Sequence, residues 1–137
     1  MDRKKLQIRL ASLIFFIFIA NFLANKFYWY YTIWLFDMPM HFLGGFWLGL
    51  LFLYSYSIKE ATLRTFFNLL FFIFFIGVGW EVFEAIVNKT TLRDSFNYLD
   101  TTSDILFDLS GGMCAIFYYF KRIMFNKKNE INKKAEL

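Results

Sequence analysis

The chain has 137 residues, 58% of them hydrophobic, 24% aromatic and only 19% charged, with a mean hydropathy of +0.44. This excludes a disordered segment and an ordinary water-soluble domain, in which about half of the residues are apolar and about a quarter charged. A net charge of +4 would suit nucleic acid on a soluble protein, but the basic residues flank long apolar runs, so the expected partner is the lipid bilayer and not nucleic acid. The single cysteine, Cys114, excludes an intrachain disulfide and a multi-cysteine metal site.

A membrane-crossing helix needs about 20 apolar residues, and four stretches supply them: residues 6–25, 33–56, 65–88 and 104–125. None alternates with the period of two that a barrel strand requires, and lipid leaves free backbone groups unsatisfied, so all four are predicted helices. The expected fold is all-α, a four-transmembrane-helix bundle over residues 1–125 followed by a basic, mobile cytoplasmic tail at 126–137. Arg3, Lys4 and Lys5 precede the first stretch as in a signal peptide, but no A-x-A site follows, which favours an uncleaved anchor helix. Arg3, Lys4, Lys5, Arg9, Lys59, Arg64 and six further basic residues from Lys121 to Lys134 fall on one side, against Lys26, Lys89 and Arg93 on the other. Both termini are therefore expected in the cytoplasm. Tyr28, Trp29, Tyr30, Tyr31 and Trp34 read as an aromatic belt at the outer interface.

Six acids lie within or at the edge of the apolar stretches: Asp37, Glu81, Glu84, Asp100, Asp104 and Asp108, together with the only histidine, His41. No Lys or Arg of the same helices neutralises them. At a rise of about 1.5 Å per residue, Asp37 and His41 should lie roughly 6 and 12 Å below the outer end of the second helix, Glu84 and Glu81 roughly 6 and 10 Å below that of the third, and Asp108 roughly 6 Å into the fourth. Asp37 with His41, Glu81 with Glu84, and Asp104 with Asp108 are spaced so that each pair shares a helix face. Because ionised groups in hydrocarbon are costly and turn to the bundle interior, these faces should converge on one polar pocket near the outer surface. Two plainer readings stand beside this one: residues 100–104 resemble a helix N-terminal cap, and the whole set could be a protonated network that only fixes the bundle.

Gly44, Gly45, Gly49, Gly77, Gly79, Gly111 and Gly112 read as close-packing positions; Gly44, Gly45, Gly111 and Gly112, just below the acids, could alternatively make room for a ligand. Pro39 is expected to kink the second helix by freeing the carbonyl of Leu35. Asn21 and Asn25 read as interhelical glue.

The segment from Phe36 through Asp37, Pro39, His41 and Phe42 to Gly44-Gly45, then Trp80-Glu81-Val82-Phe83-Glu84, then Asp100 to Asp104 with Asp108 and Gly111-Gly112, resembles the YjdF-type bacterial membrane family and, in motif order, the VanZ-like proteins. The resemblance spans about residues 30 to 120. It implies a small multi-pass protein of the bacterial cytoplasmic membrane, with a link through the VanZ-like group to glycopeptide resistance and the cell envelope. Asp108, where VanZ-like proteins typically carry Asn, and Glu84, where Gln often stands, favour the YjdF-type match.

An oxygen-rich site with one imidazole suits Mg²⁺, Mn²⁺ or Zn²⁺. The expected ligands are Asp37, Glu81 and Asp108, with Asp104 as a further one; Glu84 or His41 would act as general base, with Asp100 and the four glycines in support. Such a site fits a metal-dependent enzyme acting on a lipid-linked or envelope substrate, or else an ion- or proton-binding carrier or sensor.

Overall fold

The computed structural model describes residues 3–33, 35–56, 62–90 and 98–135. Five helices follow one another: α1 (Arg3–Lys26), α2 (Trp29–Thr32), α3 (Asp37–Ser55), α4 (Leu63–Thr90) and α5 (Tyr98–Ala135). The described chain is all-α, and α1, α3 and α4 up to Val87 are long and apolar enough to cross a membrane. Helix α5 is interrupted by its own acids and carries a basic C-terminal end, which lowers its apolarity below theirs. Thr62 caps α4, its Oγ1 accepting the backbone N–H of Thr65 at 3.1 Å.

The side chains that face outward are those a water-soluble protein would hide. Phe15, Phe16, Phe18 and Phe22 on α1, and Phe67, Phe71, Phe74 and Phe75 on α4, are all exposed; an apolar surface of this extent is matched by lipid. The interior divides into two halves. Leu50, Leu53, Leu69 and Ile73 are fully buried, with Leu6, Leu10, Ala115 and Ile116 around them. This apolar core fills the half next to the N-terminus of α1 and the C-terminus of α3. At that end Gln7 Nε2 donates to the Tyr54 hydroxyl, Arg9 to that of Tyr118, and the Arg9 guanidinium lies 5.6 Å from the Tyr118 ring centre. The buried polar residues occupy the opposite half.

The packing of α3 on α5 is the most extensive in the molecule, and glycine makes it possible. A methyl group on Gly45 would collide with the backbone of Asp108, and one on Gly111 with the carbonyl of Phe42; one on Gly49 would reach within 2.7 Å of Ala115 Cβ. The two backbones are therefore nearly in contact, as small residues permit between membrane helices. This corrects the alternative in which Gly45 and Gly111 open space for a ligand: backbone fills that space. Gly112 faces the side chains of Ile73 and Leu69, and Gly44 makes an ordinary 3.8 Å contact with Asp108 Oδ1.

Four expectations from the sequence change. The second long helix starts at Asp37 rather than at 33; residues 29–32 form the separate short helix α2, flanked by left-handed backbone at Tyr28 (φ 59°) and Leu35 (φ 67°). Pro39 thus falls in the first turn of α3, where its missing N–H costs no intrahelical bond, and no kink arises. Helix α5 begins at Tyr98, so residues 100–104 lie inside it and are not its cap. There Thr102 Oγ1 donates back to the carbonyl of Tyr98 at 2.7 Å and Ser103 Oγ to that of Asp100 at 2.7 Å. At its far end α5 continues as helix to Ala135, where a mobile tail had been expected from Asn126 onward.

Candidate functional site

The short α2 segment positions the start of α3. Phe36 packs edge-on against Trp29, with ring centres 5.5 Å apart, and against Tyr30 at 5.3 Å. The Tyr30 hydroxyl donates to Asn21 Oδ1 at 2.8 Å, and Asn25 Nδ2 donates to the same oxygen at 3.1 Å. Asn21 and Asn25 therefore tie the end of α1 to α2 instead of joining spanning helices. Of the expected aromatic belt, Tyr28 and Tyr31 are exposed while Trp29 and Tyr30 are half-buried against Phe36; Trp34 lies outside the described residues. Burial first, then the nearby Asp37 and Glu84, push the Tyr30 phenol up to about 12, which keeps its hydroxyl a hydrogen-bond donor.

The residue after this aromatic clamp is Asp37, in the first turn of α3, where a carboxylate meets the positive end of the helix dipole. One turn on, His41 points into the bundle and is 7% exposed; Glu81 of α4 is 9% exposed, and Asp104 and Asp108 of α5 are 4% and 6%. His41 is the centre of the group. Its Nε2 lies 3.7 Å from Asp37 Oδ1 and 3.9 Å from Glu81 Oε1. On the other side of the ring, Nδ1 makes a long, 3.4 Å hydrogen bond to Asp108 Oδ2. Gly77 of α4 leaves room for that carboxylate, since a methyl group there would stand 2.8 Å from Asp108 Oδ2.

Three helices thus bring together Asp37, His41, Glu81, Asp104 and Asp108, with half-buried Glu84 at the edge. Ligand atoms of Asp37, His41 and Asp104 lie within 4.8 Å of one another, and so do those of His41, Glu81 and Glu84. Asp100 stays exposed in the first turn of α5, outside the close groups but near enough to act electrostatically on Asp37, Glu84 and Asp104. Gly77 is the site neighbour that sequence reasoning missed as such. Its signal was a small residue one helical turn before Glu81, on the same face of α4.

The hydrogen-bond inventory of the site is incomplete in one place. Glu81 Oε1 is fully buried and, among the described residues, has no hydrogen-bond partner. A buried polar oxygen left without a partner is costly. This one faces the imidazole nitrogen that also faces Asp37. If Asp108 accepts the proton on Nδ1, the lone pair of Nε2 points toward the same two carboxylates, the tautomer that a metal-ligating histidine uses.

No curated protein and no solved structure gives a significant match to the chain. A family match, by contrast, extends over nearly the whole of the described helical unit. The chain belongs to the family described as "Predicted membrane protein (DUF2238)", which it matches over residues 2–124.

Proposed function

We propose that this multi-pass membrane protein binds a divalent cation, Mg²⁺, Mn²⁺ or Zn²⁺, between His41 Nε2, Asp37 and Glu81, with Asp104 completing the ligand set. The observation that carries the reading is the orphaned Glu81 Oε1, 3.9 Å from His41 Nε2. In a tetrahedral site with metal–ligand bonds of about 2.0–2.2 Å, neighbouring ligand atoms stand roughly 3.4 Å apart. The separations from His41 Nε2, 3.7 and 3.9 Å, approach that; Asp37 and Glu81 belong to different close groups around His41, so a shared cation would draw their carboxylates toward each other. A cation also offsets the repulsion among carboxylates whose ion-pair partner, among the described residues, is His41 alone.

On this reading Asp108 is not a ligand but the group that orients His41, and Glu84 is the better placed general base because His41 is engaged. The basic residues favour cytoplasmic termini and α5 as a fourth span, which puts the site near the outer face of the bacterial cytoplasmic membrane. The resemblance in motif order to VanZ-like proteins, which are linked with the cell envelope, is what favours an envelope substrate. A bound cation there would polarise an oxygen of a lipid-linked phosphate or similar group. Glu84 would take the proton of the attacking water. The carrier reading is less favoured because Leu50, Leu53, Leu69 and Ile73, all fully buried, fill the bundle between the site and its other end.

Metal analysis of the protein purified in detergent tests the proposal. Wild type should retain about one divalent cation per chain, and Asp37→Asn and Glu81→Gln should lose it. Metal-free wild type that stays folded would overturn it.

A further inference from the structure

Glu81 belongs to two features at once. Its carboxyl group faces His41, and it also lines a groove of about 390 Å³ between α4 and α5, together with Thr101 and the apolar side chains of Val78, Val82, Ala85 and Ile105. Val82 and Ile86, at the rim, are 55% and 58% exposed, so the groove opens sideways, onto the surface that the exposed phenylalanines of α4 identify as lipid-facing. Among the described residues, Glu81 and Thr101 are its polar lining residues, and the surface it presents is otherwise apolar.

The size of the groove selects its occupant. One turn of a helix with its side chains fills about 400 Å³, taking a diameter of about 10 Å and a pitch of 5.4 Å. The groove would hold a single turn, whereas a partner helix packs along several. Its volume lies instead within the range of small-molecule pockets, about 300–1,000 Å³. An apolar groove, open to hydrocarbon along its flank and sharing Glu81 with the proposed cation site, is complementary to an amphiphile with one flexible chain and an anionic head.

We propose that the α4–α5 groove admits an acyl chain of a membrane lipid phosphate laterally from the bilayer and delivers its phosphate to the site at Glu81 and His41. The inference rests on the cation reading above, because the carboxylates alone would repel a phosphate.

The test uses the full-length protein in phosphatidylcholine vesicles doped with phosphatidic acid bearing a diazirine on its acyl chain, with cross-links mapped by mass spectrometry and metal content measured on the same samples. Cross-links should concentrate at Val78, Val82 and Ile105 over Phe71 and Phe75 on the lipid-facing surface of α4. Diazirine-labelled diacylglycerol, which lacks the phosphate, should label these positions about tenfold less, the loss of one charge-assisted contact. Ala85→Trp should reduce groove labelling to the level at Phe71 while metal is retained. Should that variant misfold, Ala85→Leu narrows the same groove with a helix-favouring side chain and should give a partial reduction.

Equal labelling of groove and outer surface in metal-loaded protein, or equal labelling by the two lipids, overturns the inference and leaves the cation site standing. Wild type without metal overturns the cation reading, and the phosphate preference falls with it.

Discussion

His41 decides the chemistry of the site through its two nitrogens. With Asp108 at 3.4 Å from Nδ1 and Asp37 and Glu81 at 3.7 and 3.9 Å from Nε2, the two sides of the ring face different carboxylates with different tasks. Removing a carboxylate that orients a metal-bound histidine costs about 10- to 100-fold in affinity, whereas removing a ligand costs more. Asp108→Asn should therefore weaken cation binding and keep a measurable affinity, while His41→Ala should abolish it, as read by calorimetric titration with Mn²⁺. A ranking in which Asp108→Asn is the more damaging would make Asp108 a ligand. Cation binding displaces protons from the imidazole and the carboxylates, so affinity should rise with pH and fall on acidification; a pH-independent affinity would contradict ligation by His41. Tyr30→Phe removes one hydrogen bond to Asn21 and should cost about 1 kcal/mol, seen as a lower thermal midpoint in detergent with little change in metal content.

At the scale of elements, the α3–α5 crossing holds the site together. Gly45 touches the backbone of Asp108, and Gly111 that of Phe42, so an added methyl group at either must push apart the helices that carry His41 and Asp108. Gly45→Ala or Gly111→Ala should destabilise by about 1–3 kcal/mol and lower cation affinity at the same time. Gly79→Ala is the control: nothing lies within 4 Å of a methyl group there, and alanine should stabilise α4 by up to about 1 kcal/mol. Equal effects at Gly45 and Gly79 would rule out the crossing as the determinant. These elements also show what the sequence discloses. The pairing of Asp37 with His41 and of Glu81 with Glu84 was legible because helical spacing fixes a shared face wherever the helix begins. The start of α3 was not, because Ile33 to Phe36 are as apolar as the helix that follows, and the break depends on Phe36 packing against Trp29 and Tyr30. Residues 100–104 resemble a cap because the same Thr and Ser hydroxyls that cap helices also bond backward to carbonyls inside them. The role of Asp108 lay beyond spacing altogether: that it meets Nδ1 rather than Nε2 is set by how closely α3 and α5 approach.

The whole molecule has an apolar half and a polar half, stacked along the bundle. Fluorescent or phosphatase reporters fused to either terminus should report the cytoplasmic side if the distribution of Lys and Arg sets the topology; opposite sides for the two termini would remove α5 as a span. Helix α5 has 38 residues, about 57 Å at 1.5 Å per residue, nearly twice the roughly 30 Å of a bilayer's hydrocarbon. Asp104 and Asp108 are set near one end of that rod and the basic residues of its C-terminal third near the other. A rod without a joint turns rotation into travel: a tilt of about 5° at the site end moves the far end by roughly 5 Å. The geometry around one imidazole and the sideways position of the positively charged end of α5 are therefore two readings of a single mechanical coordinate.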